Sequence, residues 1–576
     1  MKDKKGYYLS VLLFTVCFFF LNHYLFPAKS IFETQNENTE TAAIEYKQET
    51  KEAPLKSIAL DTEASYVLEN AHFTLLFSKN GNLRQIYLPM QTHSAKSLIK
   101  PTSIDYELGD LNPYVDVINS ERKESQFSTK NFYPMLRSNQ NHEYEAFSLT
   151  NSTPFELIEH SDKHIVFKAD NIKKTYTLTN DPFVFDVKLE FDEPQTDLWL
   201  ASGMCDSEVV ANSVQSFIKY GVQKKGEVET KDLTLPEDKS LISSLQYHWL
   251  SISNGPFGMI VQPKSTQLGL MIEKIDSKKI PSKLATLSTP DLDEKLKTAP
   301  GYLCKFPVSN QTQVEFKIFA GPYQNNLLKQ INPLLLDAQN NQGFLTSISK
   351  PFSRILFYIL EFFYNLTHSW GLSIILLTIA LRLMLYPLNA WSIKQNLKTQ
   401  KLSPQVKVIN EKYKKDKQKR SIETMKLYRK EGANPLTGCF PILIQMPFLL
   451  GMFDLLKNTF QLRGASFIPG WITNLSEPDT LFSWGFSIIF IGTSFHLLPV
   501  LNGIAMFFQQ RFSSSLPKDP SQWTDQQRQQ RTMGTLMPLF ITFAFYNFPA
   551  GLNLYWLSST ILGVGQQYLM KKLSKK

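Results

Sequence analysis

An apolar run of seventeen residues, Leu372–Leu388, constrains the fold most, because it is nearly long enough to span a bilayer and contains an arginine. Arg382 lies inside this run, between Leu381 and Leu383. A charged side chain at mid-membrane costs from about 2.5 to more than 10 kcal/mol, so such residues are rare and usually functional. The run predicts a membrane helix whose cation faces protein or water.

Further apolar blocks predict a polytopic α-helical membrane protein of six spans. The blocks lie at about 7–26, 370–390, 438–459, 495–512, 533–548 and 551–570. The first is longer than a signal-peptide core, and no clear small-x-small cleavage site follows it. This favours a retained N-terminal anchor at 1–26 over the alternative, a cleaved signal sequence.

Flanking charges predict the orientation of these spans. Residues 391–432 contain thirteen Lys or Arg residues and four acidic ones, and both the N-terminus and the tail at 573–576 are basic. Because positive loops stay in the cytoplasm, all three segments are predicted to be cytoplasmic, with residues 27–369 outside. The net charge of +9 therefore needs no nucleic acid as its explanation. Anionic lipid and ribosomal RNA stay open as partners of the basic loop.

The external part predicts a flexible linker at 27–56 and an antiparallel β-sandwich at 57–325. The linker is polar and poor in large apolar residues. In the domain, Asn80-Gly81 is a turn signal between two apolar runs, and 164–193 alternates with period two around an Asn-Asp-Pro turn. Cys205 and Cys304 fall here, where a disulfide is chemically allowed, although the sequence does not show that they meet.

Motifs for catalysis or metal binding are absent from the sequence. His142-Glu143 lacks the second histidine of a zinc protease, and His160 and His164 fall where strands are predicted. Neither a phosphate-binding glycine loop nor a G-x-S-x-G elbow occurs. We therefore predict no enzyme, no metal and no cofactor.

Two amphipathic segments flank the second span. Residues 350–369 place Ile355, Ile359, Phe362 and Phe363 on one helical face and predict an interfacial helix, with a buried connector as the alternative. The cytoplasmic loop 391–432 predicts a helical hairpin at 403–431, whose helices begin at Ser403-Pro404 and at a capping Ser421.

Polar side chains inside the spans predict a hydrated cavity. Thr378, Arg382 and Asn389 lie within about 40° of one another on a helical wheel, and other spans contribute Gln445, Thr535, Thr542, Asn553, Ser558 and Ser559. Two structural alternatives remain. Arg382 is close enough to the cytoplasmic end to snorkel, and polar side chains also join helices by hydrogen bonds. The apolar block from Leu481 to Phe512, about thirty-two residues, is longer than one span requires, so residues 481–495 are predicted to form an external or re-entrant hairpin.

Four ordered motifs resemble the YidC membrane-protein insertase family. They are ALRLMLYPL (380–388), NPLTGCFPILIQMPFLLGMFDLL (434–456), LLPVLNGIAMFFQQ (497–510) and FPAGLNLYWLSS (548–559). The resemblance covers roughly 350–572, and the anchor with a large external domain resembles the form found in bacteria with two membranes. It implies a five-span insertase core at 370–572 with a hydrophilic groove open to the cytoplasm and to lipid.

The resemblance also implies substrate-binding residues and partners. Arg382 matches the family arginine that receives the polar flank of an incoming chain, and Thr378 matches a substrate-contacting position. The family aromatic of the last span falls at Trp556, where tyrosine is expected, beside Tyr555. With Gln445 from the cavity prediction, these are the candidate substrate-binding residues. Implied partners are nascent membrane proteins, the Sec translocon, lipid and the ribosome. For the ribosome, the 403–431 hairpin is a better candidate contact than the short basic tail of the chain.

Two other functions are compatible with the same residues. A transporter would use Arg382 to bind an anionic solute, although such folds often contain paired internal repeats and none is seen here. An envelope receptor would bind its ligand through the external domain and use the spans only as an anchor. Removing residues 60–320 would separate the receptor from the insertase, whose core is expected to survive much of that loss.

Overall fold

The computed structural model divides into two compact units, each with its own hydrogen-bonded architecture. It describes residues 65–573 apart from 92–96, 103, 106–131, 138–143, 151–153, 211–212, 215, 225–226, 234–239, 266, 276–281, 285–300, 309, 339–345, 434–439, 489–490, 514–522 and 524. The predicted anchor and linker, 1–56, lie outside the described residues. The described residues of the β unit lie within Phe26–Gln342 and Asn458–Gly464, and those of the helical unit within Gly343–Lys457 and Ala465–Lys576.

The β unit is built from nineteen described strands. In chain order they are β1 Ser65–Glu69, β2 Thr74–Ser78, β3 Leu83–Pro89, β4 Phe132–Pro134, β5 Glu156–His160, β6 His164–Ala169, β7 Ile172–Leu178, β8 Val184–Phe191, β9 Trp199–Ala201, β10 Val209–Val210, β11 Ser213–Val214, β12 Phe217–Lys224, β13 Glu227–Asp232, β14 Ser240–Tyr247, β15 Trp249–Ser253, β16 Phe257–Pro263, β17 Gln267–Ile275, β18 Gly301–Pro307 and β19 Gln313–Pro322. Helix α1, Asn325–Ile331, and a 3-10 turn at Pro333–Ala338 follow.

Three antiparallel sheets form the body of this unit. The largest has nine strands in the order β13-β12-β15-β16-β19-β8-β7-β6-β5, and the two others are β1-β2-β3-β4 and β14-β17-β18-β9, with a small β10-β11 ribbon. Each four-stranded sheet packs on part of the largest. Phe77 of β2 lies 4.6 Å from Tyr176 of β7, and Phe306 of β18 lies 5.8 Å from Phe316 of β19, between ring centroids. The predicted antiparallel β-sandwich is confirmed.

The burial pattern of β8 shows why these residues form a sheet with a core. Val187, Leu189 and Phe191 are buried at every second position, as expected for a strand with one face on the core. The predicted Asn80-Gly81 turn joins β2 to β3, and Gly81 has φ +65°. A Cβ at Gly81 would lie 2.7 Å from the Phe167 ring, so only glycine fits this turn.

Cys205 and Cys304 of the β unit are free thiols in the structure, so no disulfide joins them. Both are buried, and the Cys205 thiol donates a hydrogen bond of 3.2 Å to the carbonyl oxygen of Ile252. Burial raises the pKa of Cys205 to about 12 and also raises that of Cys304. His160 and His164 lie at facing ends of β5 and β6, which confirms that this spacing is not helical.

The described part of the helical unit contains nine helices and one hairpin. They are α2 Thr346–Thr367, α3 Trp370–Met384, α4 Tyr386–Lys401, α5 Ser403–Lys412, α6 Lys417–Lys430, α7 Phe440–Asn458, α8 Leu497–Ser513, α9 Asp525–Ala544 and α10 Ala550–Leu573, with strands β20 Phe482–Ile488 and β21 Gly492–Phe495. The strands β20 and β21 pair antiparallel, as the hairpin prediction for 481–495 requires. A 3-10 turn at Phe460–Leu462 belongs to the β unit.

The predicted span at 370–390 is divided in two at Leu385. Pro387 stands in the first turn of α4, a position that proline tolerates while it disfavours continuation of the preceding helix. Among the described residues, no helix alone has both the length and the apolar content to cross a bilayer. Trp370–Met384 and Tyr386–Gln395 meet these criteria together, bent by 60°. The six spans stay a prediction.

The loop 391–432, predicted to be cytoplasmic, contains α5 and α6, packed on each other through Leu402, Val406, Tyr428 and Ala433. Helix α5 begins at Ser403 with proline in its first turn, as predicted. The prediction that Ser421 caps the second helix was wrong. The cap is Asp416, whose carboxylate accepts hydrogen bonds from the backbone N–H groups of Gln418 and Lys419, so α6 begins five residues earlier.

Helix α2 exposes an apolar stripe that differs in part from the predicted one. Ile355 and Phe362 are exposed as expected, and Tyr358 and Leu366 on the same helix are exposed as well. The predicted Ile359 and Phe363 are only half-exposed. The opposite face buries Leu356 and Leu360 completely or nearly so.

Candidate substrate-binding cavity

A cavity of about 260 Å³ lies within the helical unit, between α3, α4, α7, α8, α9 and α10. Its lining combines one arginine with amides, hydroxyls, sulfurs and aromatic rings. The lining residues are Arg382, Asn389, Ile393, Gln445, Met446, Leu449, Leu450, Phe453, Met506, Gln509, Gln510, Met537, Ile541, Phe545, Phe548, Leu552, Tyr555, Trp556, Ser559, Thr560, Gly563, Gln566 and Gln567. No aspartate or glutamate is among these described residues, so Arg382 is the one formal charge of the lining.

The polarity of the lining changes along helix α10. Near the N-terminal part of this helix the cavity is aromatic, with Phe545, Phe548 and Trp556. Near its C-terminal part the cavity is lined by the amides of Gln566 and Gln567, and Gln509 and Gln510 near the end of α8 add two more amides. The cavity therefore has an apolar end and an amide-rich end.

Two buried amides of the lining have no protein partner among the described residues. The Nδ2 of Asn389 and the Nε2 of Gln566 are shielded from solvent and donate no hydrogen bond. A buried amide without a partner costs about 1–3 kcal/mol, so water or a bound ligand is expected to satisfy these donors. This end of the cavity is chemically suited to a polar guest.

Arg382, in the last turn of α3, is held by Ser559 of α10. Its Nε lies 3.1 Å and its Nη2 2.9 Å from the Ser559 hydroxyl oxygen, and Nη2 also donates to the Ser559 backbone carbonyl. The side chain is only partly exposed. The predicted cation therefore lies at the cavity, hydrogen-bonded across to another helix.

The structure brings four of the five predicted site residues to this cavity: Arg382, Gln445, Tyr555 and Trp556. Thr378 is buried, does not line the cavity, and donates its hydroxyl to the Ile374 carbonyl at 2.7 Å. Helical spacing placed it on the side of Arg382, but its hydroxyl is occupied within its own helix.

Trp556 packs edge-to-face on Phe545, with 4.5 Å between ring centroids, and is half-exposed. Tyr555 is buried beside it. An indole N–H only donates hydrogen bonds, whereas a tyrosine hydroxyl at this position would also accept. The ring contact makes Trp556 part of the aromatic end of the cavity.

Sequence analysis missed the two glutamine pairs of this lining. Gln509-Gln510 and Gln566-Gln567 are the only adjacent glutamines within α8 and α10, and each follows an apolar stretch near a helix end. Such repeated pairs at corresponding helix ends were an available signal for the amide-rich end. In the described residues no cluster of three metal-binding side chains occurs.

Comparison with known proteins identifies the family of the chain. A membrane protein insertase YidC from Chlamydia muridarum is 39% identical over 557 residues, which is 89% of this chain and 70% of the relative. The chain belongs to the YidC membrane protein insertase family. Another YidC insertase, from Chlamydia trachomatis serovar D, is 38% identical over 550 residues, 88% of this chain and 70% of that protein.

Two further comparisons gave matches. The family model described as 60Kd inner membrane protein matches residues 362–576, the part that contains the cavity. The solved structure titled "Active YidC insertase crystal structure with the first transmembrane domain resolved" covers 88% of this chain and 92% of its own, with 18% identity and a TM-score of 0.35. As a YidC family member, the chain is a membrane protein.

Proposed function

We propose that this chain inserts nascent proteins into the inner membrane and assists their folding, either alone or together with the Sec translocon. The observation that carries the proposal is Arg382, fixed at a cavity whose described lining contains no carboxylate. A cation without an acidic partner in its cavity is available to an acidic guest. The proposed activity makes and breaks no covalent bond, and it requires no cofactor.

The physical task of such a protein is to lower the cost of moving a polar segment through an apolar slab. Each unsatisfied polar group costs several kcal/mol in hydrocarbon. The amide-rich end of the cavity supplies hydrogen-bonding groups and room for water, which shortens the apolar path. Arg382 attracts an acidic flank and disfavours a basic one.

The apolar part of the client then leaves toward lipid. We propose an exit between α7 and α9, which line the cavity with the apolar residues Leu449, Leu450, Met537 and Ile541. Transfer of the client helix into hydrocarbon, at about 0.8 kcal/mol for each buried CH₂ group, provides the driving force. The membrane potential adds about 2.3 kcal/mol per charge for each 100 mV.

The proposed topology places both termini in the cytoplasm and residues 27–369 in the periplasm. The domains are an anchor at 1–26, a linker at 27–56, the β-sandwich at 57–325, an interfacial helix at 350–369, and an insertase core at 370–572 before the basic tail at 573–576. Within the core, the loop 391–432 stays cytoplasmic. Its basic hairpin at 403–431 is the proposed ribosome contact.

Photo-crosslinking from inside the cavity tests the proposal. A crosslinking amino acid at Gln445 would be presented with stalled ribosomes that carry a single-span nascent protein. The same probe at Thr378, buried away from the lining, and at Ile561, 57% exposed on α10, serves as a comparison. We expect crosslinks from Gln445 that appear only over a defined range of nascent-chain lengths.

The comparison positions decide what a negative result means. Crosslinks from Ile561 without any from Gln445, at every nascent-chain length, would show that the client passes beside the protein and not through the cavity. That result would contradict the insertase mechanism and favour a transporter or scaffold.

A further inference from the structure

We propose that Ser559 and Gly563, one turn apart on α10, are positioning residues that hold the Arg382 guanidinium in place and thereby set the preference for clients with acidic flanks. This inference rests on the insertase function proposed above. It concerns how the cation is held, and it assigns that task to a helix turn on the opposite side of the cavity.

Three hydrogen bonds tie Arg382 to this turn. Its Nε and Nη2 share the Ser559 hydroxyl oxygen at 3.1 and 2.9 Å, and Nη2 also donates to the Ser559 carbonyl. Among the bonds between described residues, Nη1 takes part in none. The hydrogen bonds therefore use one edge of the guanidinium, and Nη1 is the nitrogen that a client carboxylate would meet.

Gly563 provides the space that this arrangement needs. A Cβ atom at position 563 would lie 3.0 Å from Nη2 and 3.2 Å from Nη1 of Arg382, and 3.0 Å from Nε2 of Gln509. The guanidinium thus packs directly on the backbone of α10. Glycine in a helix interior is destabilising relative to alanine, and close packing of a functional group is a common reason for its presence there.

Gly565 shows that the crowding is specific to position 563. It lies two residues further along the same helix, and a Cβ there would have no heavy atom within 4 Å. The two glycines share helix, neighbourhood and propensity cost, and they differ in contact with Arg382. They therefore form a matched pair for substitution.

Holding the arginine has two physical consequences. A free arginine side chain samples many rotamers, and it would lose part of that conformational freedom each time it bound a client. A long cationic side chain near a helix end also tends to snorkel toward water. Hydrogen bonds to Ser559 oppose both effects, so the positive charge stays at the cavity.

The experiment uses full-length protein in proteoliposomes and two single-span clients that differ only in their translocated flank, acidic in one and amide-substituted in the other. The measured quantity is the ratio of acidic to neutral client inserted. Arg382→Ala gives the ratio without the cation. We expect Ser559→Ala and Gly563→Leu to lower the ratio toward that of Arg382→Ala, because both release the guanidinium.

Matched variants separate positioning from a general packing defect. Ser559→Thr keeps the hydroxyl and is expected to retain the wild-type ratio, as are Ser558→Ala and Gly565→Leu. Insertion of the neutral client reports whether each variant is folded and active. Should Gly563→Leu insert neither client, Ser559→Ala against Ser559→Thr decides the question.

Two results would overturn the inference, and they differ. If Arg382→Ala loses the preference for the acidic client while Ser559→Ala and Gly563→Leu keep it, the positioning role is wrong and the proposed function stands. If Arg382→Ala itself keeps the wild-type ratio, the role of the arginine in the proposed function falls, and the positioning role falls with it.

Discussion

Nη2 of Arg463 lies 2.8 Å from Oδ2 of Asp105, and both side chains are almost completely buried in the β unit. The same nitrogen lies 2.9 Å from Oε1 of Glu208, and the guanidinium carbon lies 5.2 Å from the centroid of the Tyr133 ring. Burial alone would lower the pKa of Arg463, but Asp105 and Glu208 raise it above its ordinary value. Arg463 therefore bridges two buried carboxylates, and Lys283, whose Nζ lies 3.7 Å from Oε2 of Glu208, adds a second cation.

Replacing Arg463 with alanine is expected to destabilise the β unit by about 3–5 kcal/mol, because two buried carboxylates lose the cation that bridges them. The measurement is the midpoint of urea unfolding of the full-length protein in detergent. Susceptibility of the β unit to proteolysis reports its unfolding. Lys426→Ala, which breaks the exposed pair with Glu423, is the control and should leave the midpoint unchanged. Recovery by Glu208→Gln in the Arg463→Ala background would support the charge argument, and equal midpoints for Arg463→Ala and wild type would refute it.

Lys174 predicts a pH dependence of stability. It is completely buried on β7 and donates hydrogen bonds to the Phe147 carbonyl, the Asn82 side chain and the Gly81 carbonyl. Burial lowers its pKa from 10.5 to about 7, although Glu145 partly opposes this shift. Between these two values the unfolded chain binds a proton that the folded protein does not, so stability rises with pH.

The test compares wild type with Lys174→Met by urea unfolding at pH 7, 8 and 9. The free energy of unfolding of wild type, relative to that of the variant, should rise by up to about 1.4 kcal/mol for each pH unit, which is the value for one proton. Parallel stability curves over this range would show that Lys174 does not titrate there.

The free cysteines predict a thiol-labelling result. Burial holds the pKa of Cys205 at about 12 and raises that of Cys304, so thiolate is scarce at pH 8. In a variant with Cys17 and Cys439 replaced by serine, maleimide should label the folded protein slowly and label two thiols after denaturation. Two thiols blocked to maleimide until a reductant is added would instead reveal a disulfide.

Asp479 predicts a capping effect on helix α8. One of its carboxylate oxygens accepts hydrogen bonds from the backbone N–H groups of Leu497 and Leu498, at 2.8 and 3.0 Å, and from the Trp471 indole at 2.9 Å. Asp479→Ala is expected to cost about 0.5–2 kcal/mol, the range for a lost cap. Thermal unfolding of the detergent-solubilised protein measures this, with Asp479→Asn, which retains an acceptor oxygen, expected to lose less.

Local patterns predicted the elements well and the contacts between distant elements poorly. The period-two pattern of 164–193 and the Asn80-Gly81 turn predicted real strands. Both signals are local, because the alternation of buried and exposed residues and the residues of a turn lie close together in the sequence. Ser421 was predicted as a cap because serine commonly caps helices, but Asp416, which is also of a capping type, holds that position in the structure.

The cavity shows the same limit. Arg382 and Gln445 were found from polarity inside apolar runs, which requires no knowledge of packing. Gly563 was found only from the structure, since its importance lies in a side chain 181 positions away that packs on its backbone. Thr378 shared the helical face of Arg382, yet wheel angles do not show which hydroxyls already bond within their own helix.

The segment Asn458–Gly464 gives the β unit a defined order of assembly during synthesis. Glu208 is made 255 residues before Arg463, its cationic partner in the folded unit. At 5–20 residues per second, translation of that interval takes roughly 13 to 51 seconds. Through this time the nascent β unit carries two carboxylates that have no Arg463. Its final folding step therefore waits until helix α7 has been translated, which ties the timing of one unit to the synthesis of the other.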